Sequence, residues 1–238
     1  MSIIGEQING AWVARDSDPA HRWYDAVGPN VCKCIEEFVN LPYSAANLPA
    51  GWLSTNTGGG TNALVAGSLG GEVLFTNDAA DNATINMQLL GEAFYFAARY
   101  PTYFGCRFKI SDIAAQDVAI GLVISDTAVI EGGTSNGLYF RKDDASSTLS
   151  FIAEKGSVET VIGVATLANA TYVTAEFLYS GGIVYVYING IQVAELADSD
   201  PNFPDTEYLT VTLAEQNGEG VAKTMTTDWV RAIQIQSA

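Results

Sequence analysis

The sequence predicts an all-β protein in which two antiparallel sheets pack face to face. Three observations carry that class. A long series of short segments alternates apolar and polar residues or is dense in β-branched and aromatic ones. Compact Gly, Asn and Asp turns separate them, with almost no apolar period of 3.6. Last, NGEGVAKTMTTDWVRAIQIQ at 217–236 closes the series with an amphipathic strand that arrives very late. A strand so placed completes a sandwich only by pairing with strands made much earlier, which makes 35–238 one domain.

Taken in order, residues 1–34 stand apart. Trp12, Trp23 and Tyr24 lie among polar and turn residues with neither β nor helical period, so the stretch reads as an irregular arm. Trp and Tyr are common anchors of contact surfaces, so these three are expected to dock the arm on another subunit. From residue 41, LPYSAANLPAGWLSTNTGGG is a Pro- and Gly-rich passage into the strands. The expected strands are Glu72–Asn77, Ala83–Leu89, Ala93–Ala98, Tyr103–Ile110, Val118–Ser125, Gly137–Arg141, Thr148–Ala153, Glu159–Val164, Tyr172–Tyr179, Ile183–Ile188, Ile191–Glu195, Glu207–Ala214 and Thr224–Gln236. In Tyr103–Ile110, Phe104, Cys106, Phe108 and Ile110 share one face while Arg107 and Lys109 take the other. Gly181-Gly182 and Asn189-Gly190 supply the positive φ angles of tight hairpins, so three consecutive antiparallel strands are expected over 172–195. Asp143–Ser147 reads as the turn of another hairpin. No repeat of fixed period is visible, which disfavours a propeller or solenoid.

Composition narrows the function. The 238 residues carry a net charge of −16 and no cluster of Lys and Arg, so nucleic acid and anionic membranes are not expected partners. No segment approaches the ~20 apolar residues of a membrane span. The N-terminus has no basic patch followed by an apolar run, and no secretion signal is expected. Cys32, Cys34 and Cys106 are odd in number, with the first two too close for an unstrained bridge, which suits folding in a reducing compartment.

Candidate chemistry is sparse. His21, Cys32, Cys34 and Cys106 are zinc-type ligands, but Cys32-Lys33-Cys34 lacks the knuckle spacing and Cys106 falls on an apolar face, so the thiols read as buried or incidental. Asp198, Asp200 and Asp205 in ADSDPNFPD suit either a calcium loop or a solvated acidic turn. Asp143 and Asp144, beside Lys142, read as an exposed turn. A sandwich glycosidase needs carboxylates projecting from one strand into one groove. Glu154 and Glu159 flank a turn instead and read as solvated, and the only histidine lies in the arm, so no catalytic residues, metal or cofactor are expected and the chain is not expected to be an enzyme. Tyr185 and Tyr187 alternate with Val184, Val186 and Ile188, giving a strand with two apolar faces that Tyr139 or Tyr179 would extend. Such a surface would stack on sugar rings or be covered by a loop or neighbouring subunit.

Four segments in sequence order resemble a known family. GGEVLFTNDAADNATINMQ, TYFGCRFKISD followed by DVAIGLVISD, NGLYFRKDD, and NGEGVAKTMTTDWVRAIQIQ are similar to the successive hairpins and closing strand of concanavalin A-like (laminin G-like) jelly-roll domains of tailed-bacteriophage virion proteins, over roughly 35–238. The resemblance implies a two-sheet jelly roll and membership of a virion. The short chain, its aromatic arm and its acidity then favour a capsid decoration or cement protein on the outer capsid surface, synthesised in the host cytoplasm. Its expected partners are the major capsid protein and sister copies in a trimer or dimer. Two alternatives stand beside it: a carbohydrate-binding adhesion module of a tail or head fibre gripping a host glycan, and a glycan hydrolase with an unrecognised carboxylate pair.

Overall fold

A computed structural model describes residues 2–17, 22–39, 51–97 and 100–236. His21, Ala98 and most of the Pro-rich passage at 41–50 lie outside the described residues. The chain is all-β, with one π-helical turn at Val129–Gly133 among the described residues. In chain order the strands are β1 (Ile3–Ile8), β2 (Ala11–Asp16), β3 (Trp23–Val27), β4 (Val31–Glu36), β5 (Trp52–Thr57), β6 (Thr61–Leu64), β7 (Val73–Thr76), β8 (Thr84–Leu89), β9 (Phe94–Tyr95), β10 (Thr102–Ile110), β11 (Gln116–Val123), β12 (Asn136–Lys142), β13 (Thr148–Lys155), β14 (Val158–Thr166), β15 (Val173–Ser180), β16 (Ile183–Ile188), β17 (Ile191–Ala197), β18 (Tyr208–Asn217) and β19 (Thr224–Ile235).

Two antiparallel sheets form the sandwich. The back sheet runs β17-β16-β15-β10-β19-β7-β6, and β4 also pairs with β19. The front sheet runs β14-β13-β12-β11-β18-β8-β5, with β9 on β18. Alternation decides what enters the core. Phe104, Cys106, Phe108 and Ile110 of β10 point inward, as do Val118, Ile120 and Leu122 of β11 and Leu138 and Phe140 of β12. Phe177 sits at the centre, stacked on Phe104 at 5.4 Å and meeting Phe151 at 5.6 Å across the interlayer space. Each such side chain stabilises the fold by about 1.5–3 kcal/mol through removal from water, and edge-to-face ring contacts add to it.

The expected strands from β7 onward are present, shortened to Phe94–Tyr95 in the case of 93–98. The N-terminal arm is a correction: it is regular. β1, β2 and β3 form a third, antiparallel sheet, and β4 belongs to the back sheet, so a boundary at residue 34 would cut a strand of the sandwich. Asn9 and Gly10, both with positive φ (46° and 84°), make the β1–β2 turn. That turn was legible as Asn-Gly, but Ala11, Val13 and Ala26 are too small to print a strong apolar period.

The small sheet covers the outer face of the back sheet. Ala11, Val13, Trp23 and Ala26 pack on Tyr103, Leu178, Tyr187, Ile233 and Ile235. At its rim the Arg22 guanidinium forks onto the buried Glu176 carboxylate, with Nη2 at 2.6 Å from Oε2, and the Tyr103 hydroxyl donates to Oε1 at 2.7 Å. The pair raises the Arg22 pKa, and burial raises that of the Tyr103 phenol. Glu176 is 1% exposed, so its charge depends on Arg22 for compensation.

Inside one end of the sandwich lies a second buried acid. Glu215 accepts from the Gln116 side chain through Oε2, while Oε1 has no hydrogen-bond partner among the described residues. Burial pushes its pKa well above the carboxylate range.

Two stability predictions follow from these acids. Arg22→Ala strands Glu176 and is expected to lower unfolding free energy by about 3 kcal/mol in urea titrations. Glu215 has a folded pKa above its unfolded value of about 4.3. Its protonated state therefore favours the fold below that pH, and the advantage is lost as pH rises toward the folded pKa. Glu215→Gln is expected to raise the melting temperature at pH 8 and to leave it nearly unchanged or lowered at pH 4.

Candidate functional site

The outer face of the front sheet carries the site. Its side chains come from the positions between the core residues: Asp117, Ala119 and Val123 on β11, Tyr139 and Arg141 on β12, Ile152 and Glu154 on β13, and Ala214 and Gln216 on β18. The chain after β11 crosses this face. Val129 packs with Ala119, Val123, Tyr139, Ile152 and Ala214 in a small apolar cluster, and Ile130 lies against it. The crossing loop is fastened by β8. Gln88 accepts from the Asp126 N–H at 3.0 Å and donates to the Ile124 carbonyl at 3.1 Å and to Thr212 Oγ1 at 2.8 Å. The Asn86 amide donates to the Asp126 carbonyl at 2.7 Å. These two residues were not singled out from sequence. Their alternation with Ile85 and Met87 reads as a solvent face, and only the loop makes it an interior one.

Beside this loop a cleft of about 320 Å³ opens. Ile130, half-buried, lies over the buried Ala119, Val129 and Tyr139 at its floor, and Asn82, Asp117, Glu131, Arg141, Asp143, Asp144 and Gln216 give it a polar rim. The Asp144 N–H donates to Asp117 Oδ1 at 2.8 Å, which ties the β12–β13 turn to β11. Burial raises the Asp117 pKa, opposed by that bond. Lys142, which also lines the cleft, is fully buried and donates to the Gln116 carbonyl. Burial pushes its pKa down.

Glu154 and Glu159 correct the sequence reading. They are direct cross-strand partners on β13 and β14 and share the outer face. The Tyr139 hydroxyl donates to Glu154 at 2.7 Å and lies 3.5 Å from Glu159, while Arg141 pairs with Glu159 and, at 3.0 Å, with Asp143. Burial raises the Glu154 pKa, and burial, then the Glu154 bond, raises that of Tyr139. A turn in sequence became a face in space because the two strands it joins pair directly.

The four tyrosines do not form one surface. Tyr139 lies under the crossing loop. Tyr179 is in the core against Phe96 and Phe203, its hydroxyl donating to Asp198 at 2.9 Å. Tyr187 is buried beneath the small sheet with Tyr185 partly so. Of the arm residues, Trp23 is 2% exposed and enclosed by its own chain, so it is no contact for a neighbour. Tyr24 is half-buried with Arg231 over its ring at 5.7 Å, and Trp12 remains 54% exposed. Asp198, Asp200 and Asp205 turn to separate partners, namely Tyr179, Thr160 with the Asn202 N–H, and Lys155. Among the described residues no three of His, Cys, Asp and Glu converge as metal ligands, and the three thiols are free. His21 lies outside the described residues.

No family model and no curated protein matches this sequence. Solved structures do match its shape. A protein of unknown function from Shewanella oneidensis MR-1 aligns with a TM-score of 0.61 at 16% identity, over 87% of this chain and 88% of that one. The endo-1,3-beta-glucanase of Streptomyces sioyaensis aligns with a TM-score of 0.60 at 11% identity, over 89% and 99%. The potassium-bound carbohydrate recognition domain of Emp46p aligns with a TM-score of 0.58 at 11% identity, over 83% and 94%. The fold is therefore a lectin-like, concanavalin A-type jelly-roll sandwich. At these identities the likeness concerns fold alone.

Gln88→Ala removes two bonds to the crossing loop and one to Thr212 of β18, and is expected to cost about 1–3 kcal/mol. Hydrogen exchange should show faster exchange over 124–133 with the back sheet unchanged.

Proposed function

We propose that this protein is a carbohydrate-binding adhesion module that holds a neutral glycan in the front-sheet cleft and does not cleave it. The observation that supports this is the cleft itself: a narrow apolar floor under a rim of carboxylates, amides and the Arg141 guanidinium suits a small ring with many hydroxyl groups. The acidic rim and the net charge of −16 disfavour anionic sugars. Binding without turnover is supported by the Glu154–Tyr139 and Arg141–Glu159 contacts, which engage both carboxylates within the protein.

Screening immobilised neutral glycans should give hits, and Asp144→Ala should weaken them about tenfold, the equivalent of one charged hydrogen bond. No new reducing ends should form. Absence of any neutral-glycan binding would reject the site, and release of sugar would reject its non-catalytic character.

A second reading is the capsid-decoration role that the sequence resemblance implies, with major capsid protein and sister copies as partners. One observation favours it: the edge strands β14 and β17 approach each other and expose Val158, Val161, Ile191 and Val193, apolar side chains of the kind that protein partners cover. Cosedimentation with assembled shells, lost on Val161→Lys, is the outcome expected under that reading.

A further inference from the structure

We propose a second glycan-contact site, on the opposite side of the molecule: the indole of Trp12 is a stacking platform for a pyranose ring. Trp12 sits on the central strand of the small sheet, with Gln7 of β1 opposite it on one side and Val27 of β3 on the other. The benzo edge of the indole lies over Gly5. A Cβ at that position would fall 1.9 Å from Cζ2 and 2.5 Å from Cε2, so a larger residue there would displace the ring from this position. One face of the indole is thus pressed against backbone, the recognised way an aromatic shields a strand glycine. Trp12 is 54% exposed, whereas Trp23, Trp52 and Trp229 are all 8% exposed or less.

Val27 beside it is also exposed, at 64%, so the patch is apolar as well as aromatic, but it is small. The small sheet is about 20 Å by 10 Å from strand length and spacing, so its face offers roughly 200 Å². A stable protein interface needs about 800 Å² from each partner. A flat aromatic face one or two rings wide matches the apolar face of a hexopyranose, and the exposed Gln7 amide beside it can both donate to and accept from hydroxyls. Across this face the acidic chain again favours a neutral glycan.

The small sheet covers the back sheet, while the cleft opens on the front sheet. One glycan chain would not be expected to fill both, and each site is tested separately. The test is an NMR titration of the intact protein with neutral hexasaccharides of glucose and of N-acetylglucosamine, following the four indole N–H signals. The Trp12 signal is expected to move while the other three stay, and Asp144→Ala should leave that movement intact. Trp12→Ala should abolish binding at this site, and Trp12→Tyr, which keeps an aromatic face, should retain part of it. Melting curves of both variants would report whether the small sheet survives, and the wild-type titration decides the matter if it does not. No movement with any of these sugars up to about 20 mM would overturn the proposal. So would a Trp12 shift that follows protein concentration without sugar, which would assign the face to a second copy.

Discussion

The fold depends on where β19 is seated. Its twelve residues pair with β10 along one edge and with both β7 and β4 along the other. The last strand of the chain therefore occupies the middle of the back sheet. Until it is in place β10 is paired only with β15 and β7 only with β6, β4 has no strand to join, and Val230, Ala232 and Met225 are missing from the core. Such non-local pairing is entropically costly to close and is held by the apolar burial it completes. The bulge that sets Asp228 outside the ladder also puts it against Arg107, so even the irregularity of this strand is used.

Both sheets are two-faced, and in each the outer face is itself partly covered. The small sheet lies over the back sheet, sealed by Arg22, Glu176 and Tyr103, and the 124–133 segment lies over the front sheet, sealed by Gln88 and Asn86. The coverings differ in chemistry. The first encloses tyrosines and isoleucines, which left exposed would form an adhesive patch. The second encloses a small apolar cluster around Val129 together with the polar side chains of Asn86, Gln88 and Thr212, and leaves a cleft at its margin. What the molecule can offer to a ligand is whatever these two coverings leave open.

Much of the architecture was legible. The strands from β7 to β19 followed from alternation and turn residues, because a buried face and a solvated face must alternate at a period of two. Sites fared less well. Tyr185 and Tyr187 announced a strand with two apolar faces, yet whether a sugar or a protein layer met the second face depended on a hairpin more than 150 residues earlier. Glu154 and Glu159 looked separated by a turn and proved to be cross-strand neighbours. Trp12 and Trp23 looked equivalent, and a difference of register and strand placed one in water and the other in a core. The small sheet was missed because alanines and a single valine carry little hydrophobic contrast, although Asn9-Gly10 marked its turn.

By itself, the sequence determined the class of fold, the position of most strands, which face of β10 turns inward, and the net charge of −16. These are local properties, set by side-chain chemistry at a fixed backbone period. The tertiary structure alone decided which outer faces are covered, which acids are buried against a counter-charge, and where a cleft remains. Those outcomes arise from pairings between distant segments, and the period of a strand reports that something lies against it without specifying what.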